Sequence, residues 1–192
     1  MSTPTRVLEA GDVRRLLRHV QRHRQPARSR VLVLPSLKAG LRACEMAGLD
    51  WTMILKPNGR LGTQIAVAGT IAKNGRSRLI PMNAELAVAL ARLHELERRP
   101  RSGPVIRSER GGHMTARSVV NWFASVYAEL ELDGCSSHSG RRTFITRSAR
   151  LLARSGGSLR DVQELAGHRS LTTTERYIAG DRDAQRKLVA MI

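Results

Sequence analysis

Two segments in the last third of the chain hold most of the residues equipped to act on a phosphate. In SSHSGRRTF, His138 and Arg141 stand three residues apart at a helix start, so both side chains share one face. A helix N-terminus also offers free N–H groups to an anion, although His-x-x-Arg alone is a common surface pattern. In ELAGHRSLTTTERYI, His168 follows Gly167, and Tyr177 comes nine residues later at the end of a Thr-rich helix. Tyrosine is a competent nucleophile, and near a C-terminal helix it is equally at home in a core or an interface. Farther upstream, Arg42 lies in the apolar stretch AGLRACEMAGLDW, where a packed guanidinium requires a partner. That partner is either Glu45, three residues on along the same helix face, or a phosphate. Lys73, in TIAKNGRSRLIP, sits at a turn, either merely solvated or able to deliver a proton to a departing oxygen. Cys135, His138 and His168 offer a zinc set in principle, but no clear fourth ligand accompanies them.

The elements that must position these residues follow from periodicity. The first few residues read as a frayed end over 1–7. From Leu8, Val13, Leu16, Leu17 and Val20 fall at helical spacing with Arg on the opposite face. Residues 21–30 read as a polar, basic connection broken by Pro26. Apolar character from Val31 to about Leu49, interrupted at Pro35 and Gly40, predicts two helical pieces. Trp51–Leu55, Gln64–Val67 and Arg78–Pro81, separated by turn-formers at Pro57–Gly59 and Asn74–Gly75, predict a three-stranded antiparallel sheet. Helical spacing then returns. Leu86, Leu90, Leu93 and Leu96 form one stripe, and Val119, Phe123, Val126 and Leu130 another, opened by a Thr115 cap. Ser137 is placed to cap a helix running to about Ala153. Ser158 and Asp161 open a short helix that Gly167 closes. After Gly180, Ala184, Leu188 and Ile192 make an apolar stripe on a tail helix, which packs either on its own domain or on a neighbour.

Composition bounds the class. The 192 residues suffice for one domain with a real core, and 41% hydrophobic content argues against wholesale disorder. With only 3% aromatic residues, that core is built mainly from Leu, Val, Ile and Ala. The net charge of +17 attracts a polyanion. Of 33 basic residues, 29 are Arg and 4 are Lys, favouring forked contacts to phosphate over point charges. A ribosomal-type RNA binder, or the codon bias of a GC-rich genome, would give the same balance. Charge alone does not separate DNA from RNA. Two isolated cysteines, Cys44 and Cys135, fit neither a disulfide scaffold nor a four-ligand zinc site and point to a reducing interior. Without a signal-peptide core or membrane-length apolar run, a soluble cytoplasmic protein is expected.

The segments AGLRACE, KNGRSRLIP, HSGRRTF and LAGHRSLTTTERY, in this order and preceded by LEAGDVRRLL, resemble the catalytic domain of the tyrosine recombinases, the phage integrase family. No one segment is specific; the ordered set is, and it covers about Leu8 to Ile192. The resemblance implies a mainly helical α+β fold with a small sheet. It implies a catalytic domain over residues 8–180, with a tail helix over 181–192 that docks on a neighbouring protomer. It implies a pocket of Arg42, Lys73, His138, Arg141 and His168, with Tyr177 the nucleophile and Glu45 supporting from behind. Family members usually carry a further helical domain of roughly a hundred residues before this one. On the resemblance, the chain is therefore expected to be a single-domain form, similar in extent to the short fimbrial invertases, or a remnant. Its missing half puts target affinity and sequence specificity in question.

The residue types suit the implied chemistry. Attack on a phosphodiester builds charge on two non-bridging oxygens, which two arginines can hold in forked bonds without a metal. No cofactor is implied. The resemblance implies double-stranded DNA as substrate, a homo-oligomer that is a tetramer on DNA, and accessory DNA-bending proteins. The activity implied is site-specific integration, excision or inversion, as in a mobile element. Three other readings compete: a type IB topoisomerase-like strand relaxer, a catalytically silent DNA-binding descendant, and an RNA-binding module. The last explains the charge but not the ordered set, and a mere binder has no use for the nucleophile.

Overall fold

The computed structural model describes residues 5–177 together with 186, 189 and 190. Among the described residues there are eight helices and one small sheet, and α2 (Pro26–Lys38) is central: it touches α1 (Ala10–Val20), α3 (Ala43–Ala47), α4 (Ala84–Leu96) and α6 (Ser139–Ser155). The central place of α2 follows from its sequence. Val31, Leu32, Val33, Leu34 and Leu37 are all buried, so the helix is apolar on nearly every side. Truncating one such leucine to alanine costs about 2–5 kcal/mol. Residues 21–30 are therefore not all connection. Pro26 occupies the first turn of α2, where its missing N–H is no loss. The helix also runs through Pro35 and ends three residues later, so the break falls at Gly40 rather than at the proline.

Gly40 adopts φ +62°, and a Cβ there would lie 2.5 Å from the ring of Phe144. Only glycine allows this sharp turn against α6. The turn aims the Gly40 carbonyl at Arg141 and starts α3 with Arg42 at its N-cap. The apolar stripes of α1, α4 and α5 (Ala116–Glu129) face the core as their spacing predicts, except that Leu96, the last residue of α4, is exposed, and Thr115 caps α5 by accepting from the Ser118 N–H. At the other end of the chain, residues 5–7 are tied down rather than frayed. The Arg6 N–H donates to the Gly134 carbonyl, and the Arg6 guanidinium pairs with Asp12 at 2.8 Å.

The sheet has two strands, not three. β1 (Gln64–Val67) and β2 (Arg78–Pro81) pair antiparallel, Gln64 opposite Pro81 and Val67 opposite Arg78. Residues 51–53 instead form a 3-10 turn. Asp50 caps it by accepting from the N–H and hydroxyl of Thr52, while Trp51 and Ile54, three apart, both reach the core. The helical spacing of these two anchors overrides the apparent strand, of which a single bridge, Leu55 to Leu61, remains.

The C-terminal elements form a separate small cluster. Ile145, Val162 and Ala166 are buried together from α6 and α7 (Leu159–Ala166), with Phe144, Leu152 and Tyr177 packed on them. The helix expected from Ser137 begins one step later, with His138 as N-cap, and ends at Ser155. Ser158, Asp161 and Gly167 bound α7 as predicted. α8 (Leu171–Glu175) then leads to Tyr177. The stripe of Ala184, Leu188 and Ile192 lies outside the described residues. Among the described residues, no helix is long and apolar enough to cross a membrane.

Candidate active site

Arg42, Lys73, His138, Arg141, His168 and Tyr177 all line one open depression of about 470 Å³. Asn74, Gly167, Arg169 and Thr173 complete its wall. Five segments of the chain supply the six residues, and a network beneath them explains how they are held.

Glu45 is the anchor of that network. It is fully buried, and both its oxygens accept from Arg78 at 2.8 Å. It also accepts from the Arg42 backbone N–H at 2.9 Å and the Arg42 guanidinium at 3.2 Å. Burial pushes its carboxyl up, but the Arg78 bonds and charge, with those of Arg42, outweigh this and hold it below the ordinary value. The i,i+3 pair of Arg42 and Glu45 thus exists, and Arg42 still lines the depression. Arg42 also reaches the carbonyls of Ala166 and Gly167 at 3.4 Å. Arg78 was not singled out by the sequence. Its signal is indirect: a buried carboxylate has more acceptor capacity than one i,i+3 arginine fills. Arg78 also donates to the Leu165 carbonyl at 3.0 Å, tying β2 to α7.

Arg141 comes from the first turn of α6 and is almost wholly buried. It donates to the Gly40 carbonyl and, at 2.7 Å, to the Ala166 carbonyl, so one guanidinium joins the turn before Arg42 to the end of α7. Burial first, and then the Arg42 charge, lower its pKa, but a guanidinium remains cationic. His138 lies at the exposed rim of the same helix start. Desolvation, followed by the charges of Arg141, Lys73 and Arg42, holds its pKa below the ordinary value. Lys73 is exposed on the connection between β1 and β2. That connection is pinned by Asn74, whose amide donates to the Gly167 carbonyl at 3.2 Å.

Gly167 ends α7 with φ +62°, and a Cβ there would crowd the Arg78 guanidinium at 3.1 Å. The tight turn brings His168 back over the depression, where its backbone N–H donates to the Gln163 carbonyl at 3.0 Å. His168 Nδ1 lies 2.9 Å from the Thr174 hydroxyl. Burial, then Arg141, Arg42 and Arg78, drive the His168 pKa down to about 4, so the ring is neutral at pH 7. The Tyr177 ring stacks on it, with centroids 5.5 Å apart and planes 21° from parallel. The Arg142 guanidinium carbon sits 5.4 Å from the Tyr177 ring centroid. Tyr127, the other tyrosine of the chain, is buried in the core and its hydroxyl has no partner among the described residues; burial pushes its phenol up.

The zinc set does not form. Among the described residues, the only cluster of His, Cys, Asp or Glu close enough to share an ion is His19, His23 and Glu129, none of which lines the depression. Cys135 is likewise absent from that wall.

The mainly helical fold with its small antiparallel sheet is shared with solved integrase and recombinase structures. Residues 6–183 match the model of the Phage integrase family, and the chain belongs to that family. Among curated proteins, it is 34% identical over 151 residues to tyrosine recombinase XerC of Nitrobacter winogradskyi, covering 76% of this chain and 43% of that protein. It is 32% identical over 181 residues to XerC of Brucella suis, covering 91% and 54% respectively. The chain thus spans about half the length of the curated relatives it matches. In fold it is similar to the Tn1549 transposon integrase in complex with transposon right end DNA, with TM-score 0.77, 22% identity, all of this chain and 67% of that one covered. The XerA recombinase gives TM-score 0.75 at 19% identity, covering all of this chain and 66% of that one.

Proposed function

We propose that the chain is the catalytic domain of a site-specific DNA recombinase that cuts and rejoins strands through Tyr177. The observation that carries the reading is the convergence of all six expected residues on one depression, above a buried Glu45 that holds two arginines. In the proposed step, Tyr177 Oη attacks the phosphorus of a DNA phosphodiester, and its proton passes to His138. The bond from phosphorus to the 5′ oxygen breaks, and Lys73 supplies a proton to that oxygen. One phosphoester replaces another, giving a 3′-phosphotyrosine that a 5′ hydroxyl from a second duplex can reverse, so no ATP is needed. Arg42 and Arg141 hold the non-bridging oxygens, with neutral His168 as a further donor; removing one donor of this kind costs roughly 2.7–4 kcal/mol. The depressed pKa of His138 leaves it unprotonated at neutral pH, and the arriving phosphate offsets the cations that would otherwise oppose its gaining a proton.

Double-stranded DNA is the proposed partner. The relatives' names, the DNA-bound state of the Tn1549 integrase and a net charge of +17 support it. The same family reading makes residues 8–180 the catalytic unit, four copies of which act on DNA, aided by DNA-bending proteins. It also makes residues 181–192 a docking tail and the cytoplasm the site of action. Membership of this family leaves an RNA-binding module without support.

The test is a nicked suicide duplex carrying a candidate site. Wild type is expected to give a protein–DNA adduct that survives denaturant, Tyr177→Phe none, and chelator no change. An adduct in Tyr177→Phe, or one abolished by chelator, overturns the reading. Binding with no adduct on any site marks a silent DNA-binding descendant. Adduct formation with relaxation of one duplex but no exchange marks a topoisomerase.

A further inference from the structure

Thr174 has no part in the chemistry proposed above, yet it is as deeply buried as Glu45 beneath the same depression. It is fully buried in α8, and its hydroxyl lies 2.9 Å from His168 Nδ1. Among the described residues this is the hydroxyl's one hydrogen bond. Threonines inside helices commonly donate back to the carbonyl four residues earlier. Here the Ser170 carbonyl instead accepts from the Thr173 N–H, and the Thr174 hydroxyl turns to the imidazole.

A neutral imidazole carries its proton on one of two nitrogens, and the bond the other nitrogen makes decides which. Two assignments fit the 2.9 Å contact. If Nδ1–H donates to the hydroxyl oxygen, the Thr174 hydrogen is buried with no acceptor among the described residues, an unsatisfied donor that is costly to bury. Nε2 would then turn a lone pair toward any phosphate oxygen in the depression. If the hydroxyl donates to Nδ1, both groups are satisfied and Nε2 carries the hydrogen. The second arrangement wins on both counts.

Resting on the recombinase reading, we infer that Thr174 is a positioning residue: its hydroxyl donates to His168 Nδ1 and fixes the tautomer whose Nε2–H serves the substrate phosphate. The low pKa of His168 gives the tautomer its importance, because an imidazolium would donate from both nitrogens regardless. The same residue sets the approach to the nucleophile, since the Thr174 carbonyl accepts from the Tyr177 N–H at 3.0 Å. One buried threonine therefore couples the donor on the phosphate to the chain that delivers the phenol.

The experiment combines a tautomer measurement without DNA and a cleavage measurement with it. Side-chain 15N NMR of the whole protein, with the His168 signals assigned by their loss in His168→Gln, reports which nitrogen is protonated. Wild type and Thr174→Ser are expected to show a protonated Nε2 and a bare Nδ1. Thr174→Val, which keeps the shape and removes the hydroxyl, is expected to show averaging toward both tautomers. In single-turnover cleavage of the suicide duplex at saturating protein, Thr174→Val is expected to lose about tenfold in rate with DNA affinity unchanged, and Thr174→Ser to stay within about threefold of wild type; complete loss of an oxyanion donor costs about 10²–10³. A protonated Nδ1 in wild type overturns the inference. So does a Thr174→Val protein that keeps both the wild-type tautomer and the wild-type rate. Should Thr174→Val not fold, wild type and Thr174→Ser still decide the tautomer. Failure of wild type to form any adduct would sink the recombinase reading and leave the NMR result to stand on its own.

Discussion

Arg78 offers a severe test of how the depression is built, because it lies outside the expected catalytic set. Its guanidinium makes both 2.8 Å bonds to Glu45 and a third to the Leu165 carbonyl. Replacing Arg78 with Met keeps the aliphatic stem but leaves a fully buried carboxylate with only Arg42, at 3.2 Å, as side-chain partner. Breaking a buried pair by removing one member costs about 3–5 kcal/mol. For a chain of this size that lowers Tm by roughly 6–20 °C. Glu45→Leu alone should destabilise by a similar amount, since Arg42, Arg78 and Arg141 would then repel one another without their common anion. The double variant, with both members apolar, should lose far less than the sum of the two. Urea unfolding of the four proteins, with matched m-values, measures the coupling directly. An Arg78→Met protein within about 0.5 kcal/mol of wild type would mean that Glu45 does not depend on Arg78, and so would simple additivity in the cycle.

Other expectations follow from single contacts. Arg142→Met removes the cation from beside the Tyr177 ring, an interaction of about 0.5–2 kcal/mol; adduct formation should slow roughly 2–30-fold and recover in part with Arg142→Lys. Gly40→Ala places a Cβ against Phe144 at positive φ and should destabilise by more than the ~1–2 kcal/mol of the left-handed backbone alone, as read from thermal unfolding. The folded-state pKa of His168, about 4 against an ordinary 6.5, means that the unfolded chain binds the proton more readily between these values. Stability should therefore fall as pH drops from 6.5 toward 4, and His168→Gln should flatten that part of the urea-midpoint profile. DNA affinity should fall steeply and linearly in log–log form between 50 and about 200 mM salt; a flat response would mean that the basic surface serves another purpose.

Periodicity exposed the helices because their buried residues recur on one face, as in α4, α5 and α7. It failed where two chemistries share one local pattern. Trp51 to Leu55 has strand-like residue types, and only the Asp50 cap and the three-residue spacing of Trp51 and Ile54 favour a turn. Pro35 and Pro26 both looked like interruptions, yet near a helix start a proline is compatible with the helix, and near its end it removes a bond the core can spare. The residues of the depression were legible as types in a fixed order. Of their supports only Glu45 was, because Arg78, Asn74 and Thr174 act through contacts 33, 93 and 6 residues away that no local spacing reveals.

What decides the chemistry is which oxygen becomes bonded to phosphorus. The chain has two tyrosines, one beside His168 at the depression and one sealed in the core, so the molecule supplies its own control. Mass spectrometry of the protease- and nuclease-trimmed adduct reads the answer. A nucleotide joined through its 3′ phosphate to Tyr177 is the result predicted; attachment at Tyr127, at a serine, or through a 5′ phosphate would contradict it.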